Sequence, residues 1–260
     1  MGKRSEKADL DLQYEGMVFI PMGEFEMGSQ GYGEFEQPVH QVHVTDFWVD
    51  EVPVTNAQFA RFAQDSGYRT HAERTGYAWG YNAGHFAEMP GLSWRTFSSR
   101  ERHDHPVVMV TWDDAAAFCT WARKRLPTEA EWEKAARGGL RDSLYPWGEQ
   151  TPNGTQSNFA RRPAEIPPTT PVRQFPPNAY GLYDVVGNVW QWCQDWYSAE
   201  SYARPNPGEP LDPEQGRTRC RRGGSWNVIQ PFRLRCANRG AAPPTIVATN
   251  IGFRCVRSSR

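Results

Sequence analysis

Residues 105–139 read HPVVMVTWDDAAAFCTWARKRLPTEAEWEKAARGG, and this stretch decides the fold. Residues 106–110 are all apolar and predict a short buried strand. Residues 112–125 follow with the amphipathic pattern of a helix. A further helix begins after Thr128, because Thr128 and Glu131 form a capping box, and it ends at Gly138 and Gly139. The sequence therefore predicts a strand followed closely by two helices.

On the N-terminal side, residues 17–22 and 25–27 predict a hairpin that turns at Gly23 and Glu24. Residues 39–54 alternate between polar and apolar side chains, as a strand does. A helix is predicted to begin at Thr55, where Thr55 and Gln58 form a capping box, and to end before Gly67.

The rest of the chain lacks long periodic segments. Residues 68–105 are interpreted as a long ordered insertion, and short aromatic strands alternate with turns from residue 180 to residue 257. We find no internal repeat or flexible linker. The sequence therefore predicts an N-terminal tail over residues 1–16 and one domain over residues 17–257.

Composition supports many short elements joined by ordered turns. The 260 residues are 38% hydrophobic and 13% aromatic, with 11 Trp, 23 Gly and 21 Pro. Such a chain is long enough to bury a sizeable core. Long helices are not expected from this composition.

Charge is distributed unevenly, although the net charge is only −1. Residues 217–260 hold ten Arg and no acidic residue. A basic segment can bind nucleic acid, but these Arg alternate with Cys, Leu, Phe and Trp as in packed strands. We therefore expect them to pair with acidic residues from the rest of the chain, and we expect no nucleic-acid partner.

Nothing in the sequence predicts a membrane span or a secretory signal. No apolar run approaches the roughly 20 residues that a spanning helix needs, and the N-terminal residues lack an apolar core segment. Five Cys without a CxxC pair indicate neither a zinc ribbon nor a dense disulfide scaffold. The expected location is the cytoplasm, and display on a phage or a cell surface stays open.

Several strings resemble the formylglycine-generating-enzyme, or sulfatase-modifying factor, family. They are MVFIPMGEFEMGS, EVPVTNAQFARF, the stretch over residues 105–139, YPWGE, NAYGLYDVVGNVWQW, RGGSW, RCANR and NIGFRC. They run in the family's order and span most of residues 17–257. The resemblance implies an α+β, C-type-lectin-like fold with short antiparallel sheets, two or three helices and much irregular structure.

The family enzyme uses two cysteines after its GGS motif to bind copper(I) and to act on a substrate cysteine. Thiolates suit that soft ion. Here residues 227–234 read NVIQPFRL, with no Cys, His or Met. We therefore expect no copper and no catalysis by that route.

Two other family features transfer to this chain by resemblance. Cys119 and Cys255 match positions that resemble a disulfide pair, although a reducing cytosol would keep them as thiols. Oxygen donors that match a structural calcium loop come from four positions, which are Asp184, Gly187, Val189 and Gln191. A plain tight turn is the alternative interpretation of that loop.

Within the family, the C-terminal segment resembles the variable protein of diversity-generating retroelements, which keeps the strings GGSW, ANR, PT and NIGFR. The intervening residue types can all arise from Asn codons by adenine mutation. Within the variable segment, 227–249, the predicted ligand-binding positions are Asn227, Val228, Ile229, Pro231, Phe232, Leu234, Gly240, Ala241, Ala242, Pro243, Ile246, Val247, Ala248 and Thr249.

These positions lead to an expected function. We expect a non-catalytic protein whose exposed segment binds a protein or another macromolecular ligand, on a frame held by Trp226, Arg235, Asn238 and Phe253. The alternative is an enzyme or accessory protein of the sulfatase-modifying family that uses an unidentified site. The ligand and the oligomeric state stay open.

Overall fold

A computed structural model describes residues 14–82, 85–141, 143–162, 168–204 and 216–259. In that part of the chain the strands are β1 (Met17–Ile20), β2 (Gly23–Met27), β3 (His40–Val44), β4 (Phe47–Asp50), β5 (Tyr77–Asn82), β6 (His85–Pro90), β7 (Trp190–Trp196), β8 (Arg219–Arg222), β9 (Arg239–Ala242), β10 (Ile251–Gly252) and β11 (Val256–Ser258). The α-helices are α1 (Asn56–Ser66), α2 (His71–Thr75), α3 (Trp112–Trp121) and α4 (Glu129–Arg137).

The strands form small sheets that join distant parts of the sequence. One sheet has the order β1-β4-β11, and a second has the order β10-β7-β8-β9. The pairs β2-β3 and β5-β6 form two-stranded sheets. All pairings are antiparallel except β10 with β7. The mixed α+β class with short sheets and few helices is confirmed.

Local capping chemistry sets the predicted helix starts. Thr55 and Gln58 close a capping box before α1, and Thr128 and Glu131 close another before α4. Gly67 ends α1 in the left-handed conformation, with φ of 67°. Gly138 ends α4 in the same way, with φ of 61°. These predictions are confirmed, because each cap depends on residues only three positions apart.

The predicted N-terminal hairpin is wrong. Strand β1 pairs with β4 and strand β2 pairs with β3, so the two segments lie in different sheets. The pairing of β1 with β4 covers Phe47–Asp50, and β11 covers the other edge of β4. Non-local partners therefore override the short turn at Gly23.

The apolar run at residues 106–110 is buried but does not form the predicted strand. Val107, Val108, Met109 and Val110 are at most 1% exposed. Their backbone bonds go to scattered partners, since Val107 N donates to Val54 O and Met109 N donates to Ala248 O. Met109 also has a φ of 65°, which interrupts extended backbone.

The segment predicted as an ordered insertion contains α2 and the β5-β6 hairpin. It is tied to α3 by Asp114, whose carboxylate accepts from the His71 backbone N–H at 3.0 Å and from the Tyr68 hydroxyl at 2.9 Å. Burial, with Asp114 adding to it, raises the pKa of Tyr68 to about 12. The insertion is thus packed onto the helical side of the molecule.

The Arg-rich C-terminal segment pairs internally, as predicted. Arg239 and Arg222 contact Glu129 on α4, and Arg222 also contacts Glu133. Arg235 contacts Glu36 at 2.7 Å. Burial alone would raise the pKa of Glu129, but Arg239 and Arg222 outweigh it and hold that pKa at about 2. Opposite charges therefore fasten the last strands to helix α4.

Within the described residues, no helix is long and apolar enough to cross a membrane.

Candidate functional site

The loop that follows β8 is held close to its neighbours by two glycines. Gly223 and Gly224 have φ values of 93° and 70°. A Cβ on Gly223 would lie 2.5 Å from the Val185 carbonyl oxygen, and one on Gly224 would lie 2.7 Å from a methyl group of Leu234. Side chains at either position would push the loop outward, so glycine is required to seat it.

Three polar side chains meet at this loop. The Ser225 hydroxyl donates to Oδ1 of Asn227 at 2.7 Å, and Nδ2 of Asn250 donates to the same oxygen at 3.0 Å. Ser225 is fully buried and Asn250 is 8% exposed, whereas Asn227 is half-buried. We call these three residues the amide cluster. Its accessible member is Asn227, whose side chain is oriented by the other two.

The amide cluster rests on a buried indole. Trp226 is fully buried, and its Nε1–H donates to the Thr249 carbonyl at 3.2 Å. Its backbone N–H donates to the Asn188 carbonyl at 3.0 Å. Arg235, Asn238 and Phe253 are also buried, at 2%, 5% and 0% exposure. The predicted frame of the C-terminal segment is therefore confirmed as core.

The fourteen predicted ligand-binding positions do not form one exposed surface. Buried members are Val228, Leu234, Ala242, Val247, Ala248 and Thr249. Partly buried members are Asn227, Pro231, Gly240, Ala241 and Ile246, and exposed members are Ile229, Phe232 and Pro243. Burial follows from backbone pairing, because Gly240 pairs with Arg221 in the sheet and the Val247 carbonyl accepts from Trp79. The expectation of a largely exposed variable surface is wrong.

Around the amide cluster the structure offers amide and hydroxyl groups. The printed partners of Ser225 are Asn227 and Asn250, so its hydroxyl has no His or carboxylate base to activate it. In the described part of the chain, no three His, Cys, Asp or Glu residues are grouped to hold a metal ion. The arrangement can bind and orient a polar group of a substrate.

Copper(I) does not fit the residues present in this loop. Residues 227–234 supply no thiolate, thioether or imidazole. The five cysteines are Cys119, Cys193, Cys220, Cys236 and Cys255, and all are at most 1% exposed. Burial raises the pKa of Cys236 to about 12, so this neighbouring thiol stays protonated near neutral pH. A soft cation needs thiolates, which this arrangement does not provide.

Cys119 and Cys255 lie side by side. Their sulfur atoms are 3.2 Å apart, and both are free thiols. Burial, with Cys119 beside it, raises the pKa of Cys255 well above its ordinary value. The contact supports the alignment from which the pair was inferred, and the disulfide itself stays a prediction.

The loop from Asp184 to Gln191 has its oxygen donors occupied by protein groups. Oε1 of Gln191 accepts from Trp132 at 3.0 Å and from Arg254 at 2.6 Å. Nε2 of Gln191 donates to the carbonyl oxygens of Asp184 at 2.9 Å and Val185 at 3.1 Å. An amide donor thus points at carbonyls that a cation would need.

The Asp184 carboxylate in the same loop is also hydrogen-bonded. Oδ2 accepts from the Arg173 backbone N–H at 2.9 Å, and Oδ1 accepts from Asn188 at 3.3 Å. Burial raises the pKa of Asp184 against the opposing effect of those hydrogen bonds and of Arg254. Gly187 and Val189 lie in the turn between them. The residues as placed do not fit a calcium ion, and calcium binding stays a prediction from the resemblance.

Ser225 and Asn250 were missed by sequence reasoning, which named only Asn227 of the three. The missed residues stand inside the GGSW and NIGFR strings that match the family frame. Polar residues that end up buried inside such strings were the available signal. Their meeting depends on a contact across 25 residues, which no local pattern reports.

Comparisons with known proteins place the whole chain in one family. The model of the sulfatase-modifying factor enzyme 1-like domain matches residues 3–259. A formylglycine-generating enzyme of Thermomonospora curvata is 41% identical over 93% of this chain and 93% of its own length. A formylglycine-generating enzyme of Bos taurus is 37% identical over 92% of this chain and 74% of its own length.

One further relative carries a different name. The protein named inactive Cα-formylglycine-generating enzyme 2 of Bos taurus is 38% identical over 94% of this chain and 88% of its own length. The question of which groups do the chemistry therefore has to be put to the residues of this chain.

Solved structures agree on the fold. PvdO from Pseudomonas aeruginosa is 26% identical, covers 94% of both chains and has a TM-score of 0.74. Treponema denticola variable protein 1 is 22% identical, covers 94% of this chain and 95% of its own, and has a TM-score of 0.69. The second likeness shows a shared fold only.

The expected function is overturned by these comparisons. Relatives that are 37–41% identical over most of the chain are named formylglycine-generating enzymes. The expectation of a non-catalytic retroelement-diversified binding protein is therefore wrong, and so is the expectation that the chain is not an enzyme. The error came from giving the missing copper cysteines more weight than the co-linear match along the chain.

Proposed function

Because the chain belongs to the sulfatase-modifying factor family, we propose that it is an enzyme whose substrate is a cysteine-containing peptide segment of another protein. The observation that carries the proposal is the match to named formylglycine-generating enzymes over nearly the full length of both chains. A family shared at that level supports a shared substrate class, while the reacting groups depend on the site.

The surface over the amide cluster suits an extended peptide. Ile229 is 67% exposed and Phe232 is 46% exposed, and both lie within five residues of Asn227. Exposed apolar side chains beside a fixed amide offer pockets for peptide side chains and hydrogen bonds for the peptide backbone. The peptide would therefore lie across Asn227, Ile229 and Phe232.

Rigid support keeps this surface in place. Pro231 begins a 3-10 helix over Pro231–Leu234, and Leu234 is fully buried beneath it. Arg235 clamps the end of that helix, because its Nε–H donates to the Phe232 carbonyl at 2.7 Å. Little reordering is then needed when a peptide binds, which favours affinity.

Copper chemistry is not assigned to this chain, because the loop contains no copper(I) ligand. The chain's own residues bind and orient the substrate. The Asn227 amide contacts the peptide, while Ser225 and Asn250 act as positioning residues that hold that amide. We expect turnover to be independent of copper.

The test is mass spectrometry of a sulfatase-type peptide incubated with the purified protein. A mass change confined to the cysteine is expected, with and without a copper chelator. The same peptide with Ser in place of Cys is the matched control and is expected to stay unchanged. Absence of any change under all conditions overturns the proposed function, and a change that requires added copper overturns its copper-free form.

A further inference from the structure

A cleft lies between strand β2 and helix α4, on a part of the molecule that the amide cluster does not reach. Its volume is about 510 Å³. Lining residues include Met22, Phe25, Lys134, Leu140 and Tyr180. None of the residues that line it belongs to the amide cluster or to the peptide surface around it.

Lys134 is a buried cation inside this cleft. The residue is only 7% exposed. Its ammonium donates one hydrogen bond, to the Gly23 carbonyl at 2.8 Å, although an ammonium has three donors. Among the described residues it forms no salt bridge, and burial lowers the pKa of Lys134.

Other buried cations of this chain have their donors occupied. Lys124 pairs with Asp50 at 2.5 Å. Arg254 lacks a carboxylate partner, but its guanidinium donates to five oxygen acceptors, on Asp50, Glu51, Tyr183, Asp184 and Gln191. A buried charge is costly unless it is paired and hydrogen-bonded. Lys134 therefore has an unmet requirement for an anionic acceptor.

The cleft around the ammonium has the shape and polarity of a small-molecule site. Arg141 adds a second cationic side chain to its lining. Met22 and Leu140 are 62% and 37% exposed, and they give the cleft an apolar side that a ligand would cover. Sites for small ligands combine apolar walls with a few placed polar groups in this way.

Two acidic side chains restrict which anion fits. Glu24 and Glu26 line the same cleft and are exposed. Their charges repel a polyanion such as phosphate more strongly than a monoanion. Arg137, which also lines the cleft, is already paired with Glu133 at 2.7 Å. The arrangement thus favours a ligand with one negative charge.

We propose that the cleft between β2 and α4 binds a small organic monocarboxylate, whose carboxylate accepts hydrogen bonds from the ammonium of Lys134 and whose apolar part contacts Met22 and Leu140. The site is independent of the proposed enzymatic function, because it uses other residues and needs no turnover to be observed.

Lysine-selective NMR tests this proposal with hexanoate as the probe. The chain has four lysines, at positions 3, 7, 124 and 134, so the signals are few. Hexanoate is expected to shift the Lys134 signal saturably and to raise the pKa of Lys134, while the Lys124 signal stays in place. Lys134→Met is expected to weaken binding about tenfold or more, and Lys134→Arg to retain most of it.

Matched probes and variants decide the ligand class. Hexylamine, with the same tail and the opposite charge, is expected to cause no shift of the Lys134 signal. Phosphate is expected to bind weakly to the wild type and more strongly to the double variant Glu24→Gln, Glu26→Gln. An unmoved Lys134 signal with hexanoate, an equal response to hexylamine, or unchanged hexanoate binding in a folded Lys134→Met variant would each overturn the proposal.

Discussion

Arg239 donates two parallel hydrogen bonds to Glu129, from Nε to Oε1 and from Nη2 to Oε2, and each is 2.8 Å long. Both residues are about 5% exposed. The pair joins the first strand after the RCANR string to the first turn of α4, across 110 residues. A bidentate pair in this position sets the orientation of the C-terminal segment.

Replacing Arg239 with Met should destabilise the fold by about 3–5 kcal/mol, because Glu129 would remain buried with only Arg222 at 3.4 Å. Urea denaturation measures the change. Arg61→Met is the control, since Arg61 and Asp65 are a largely exposed pair at 3.6 Å. That variant should stay within about 0.5 kcal/mol of the wild type. Equal losses in both variants would show that the buried pair does not fasten the segment.

Two apolar residues of the predicted variable segment should respond oppositely to the same substitution. Val247→Ser should cost about 2 kcal/mol or more, because Val247 is 2% exposed in the core. Ile229→Ser should change the free energy of unfolding by less than about 0.5 kcal/mol, because Ile229 is 67% exposed. Thermal melting of both variants measures this. A stable Val247→Ser protein would restore the view of residues 240–249 as a free surface.

Sequence reasoning succeeded where structure is local. The capping boxes at Thr55 and Thr128 and the glycine stops at Gly67 and Gly138 lie within a few residues of the helices they bound. The attraction between the Arg-rich segment and the acidic remainder was also predictable, because it follows from charge alone. The frame residue Trp226 was found through its matching string.

Sequence reasoning failed where partners are distant. Strand β1 lies beside β4 rather than β2, and Val247 is buried through contacts made by its backbone with Trp79, 168 residues away. Neither relation leaves a local pattern. The amide cluster was missed for the same reason, since Ser225 and Asn250 meet only after folding.

Acid should weaken the fold between pH 6.5 and pH 4 through His105. Burial, with Arg102 adding to it, lowers the pKa of His105 to about 4 from an ordinary 6.5. The unfolded chain therefore binds a proton in this range that the folded chain does not, so stability falls as the pH is lowered. The melting temperature of His105→Asn should fall less between pH 7 and pH 5 than that of the wild type.

A second titrating group makes the comparison of variants necessary. Burial, with Glu129 nearby, raises the pKa of Asp195 to about 7, which favours the folded state as the pH is lowered through the same range. This contribution is the same in both proteins and cancels in their difference. His103→Asn is the control, because His103 is exposed. An identical pH response in His105→Asn and the wild type would rule out His105 as the cause.

Calcium should not affect the wild-type protein, because Nε2 of Gln191 already faces the carbonyls of Asp184 and Val185. Chelation should leave its melting temperature unchanged. Gln191→Glu replaces that donor with a carboxylate and should make the melting temperature rise with added calcium. A wild-type melting temperature that falls on chelation would show instead that the loop binds calcium as it stands.

The most direct test of the proposed function is the kcat/KM for the cysteine peptide in two matched variants. Asn227→Ala removes the accessible amide of the cluster and should lower kcat/KM by about 10²-fold, the usual loss when one preorganised hydrogen-bonding group is removed. Asn153→Ala makes the same substitution on an exposed loop and should leave kcat/KM unchanged. Equal kcat/KM values for Asn227→Ala and Asn153→Ala would contradict the placement of the substrate over Ser225, Asn227 and Asn250.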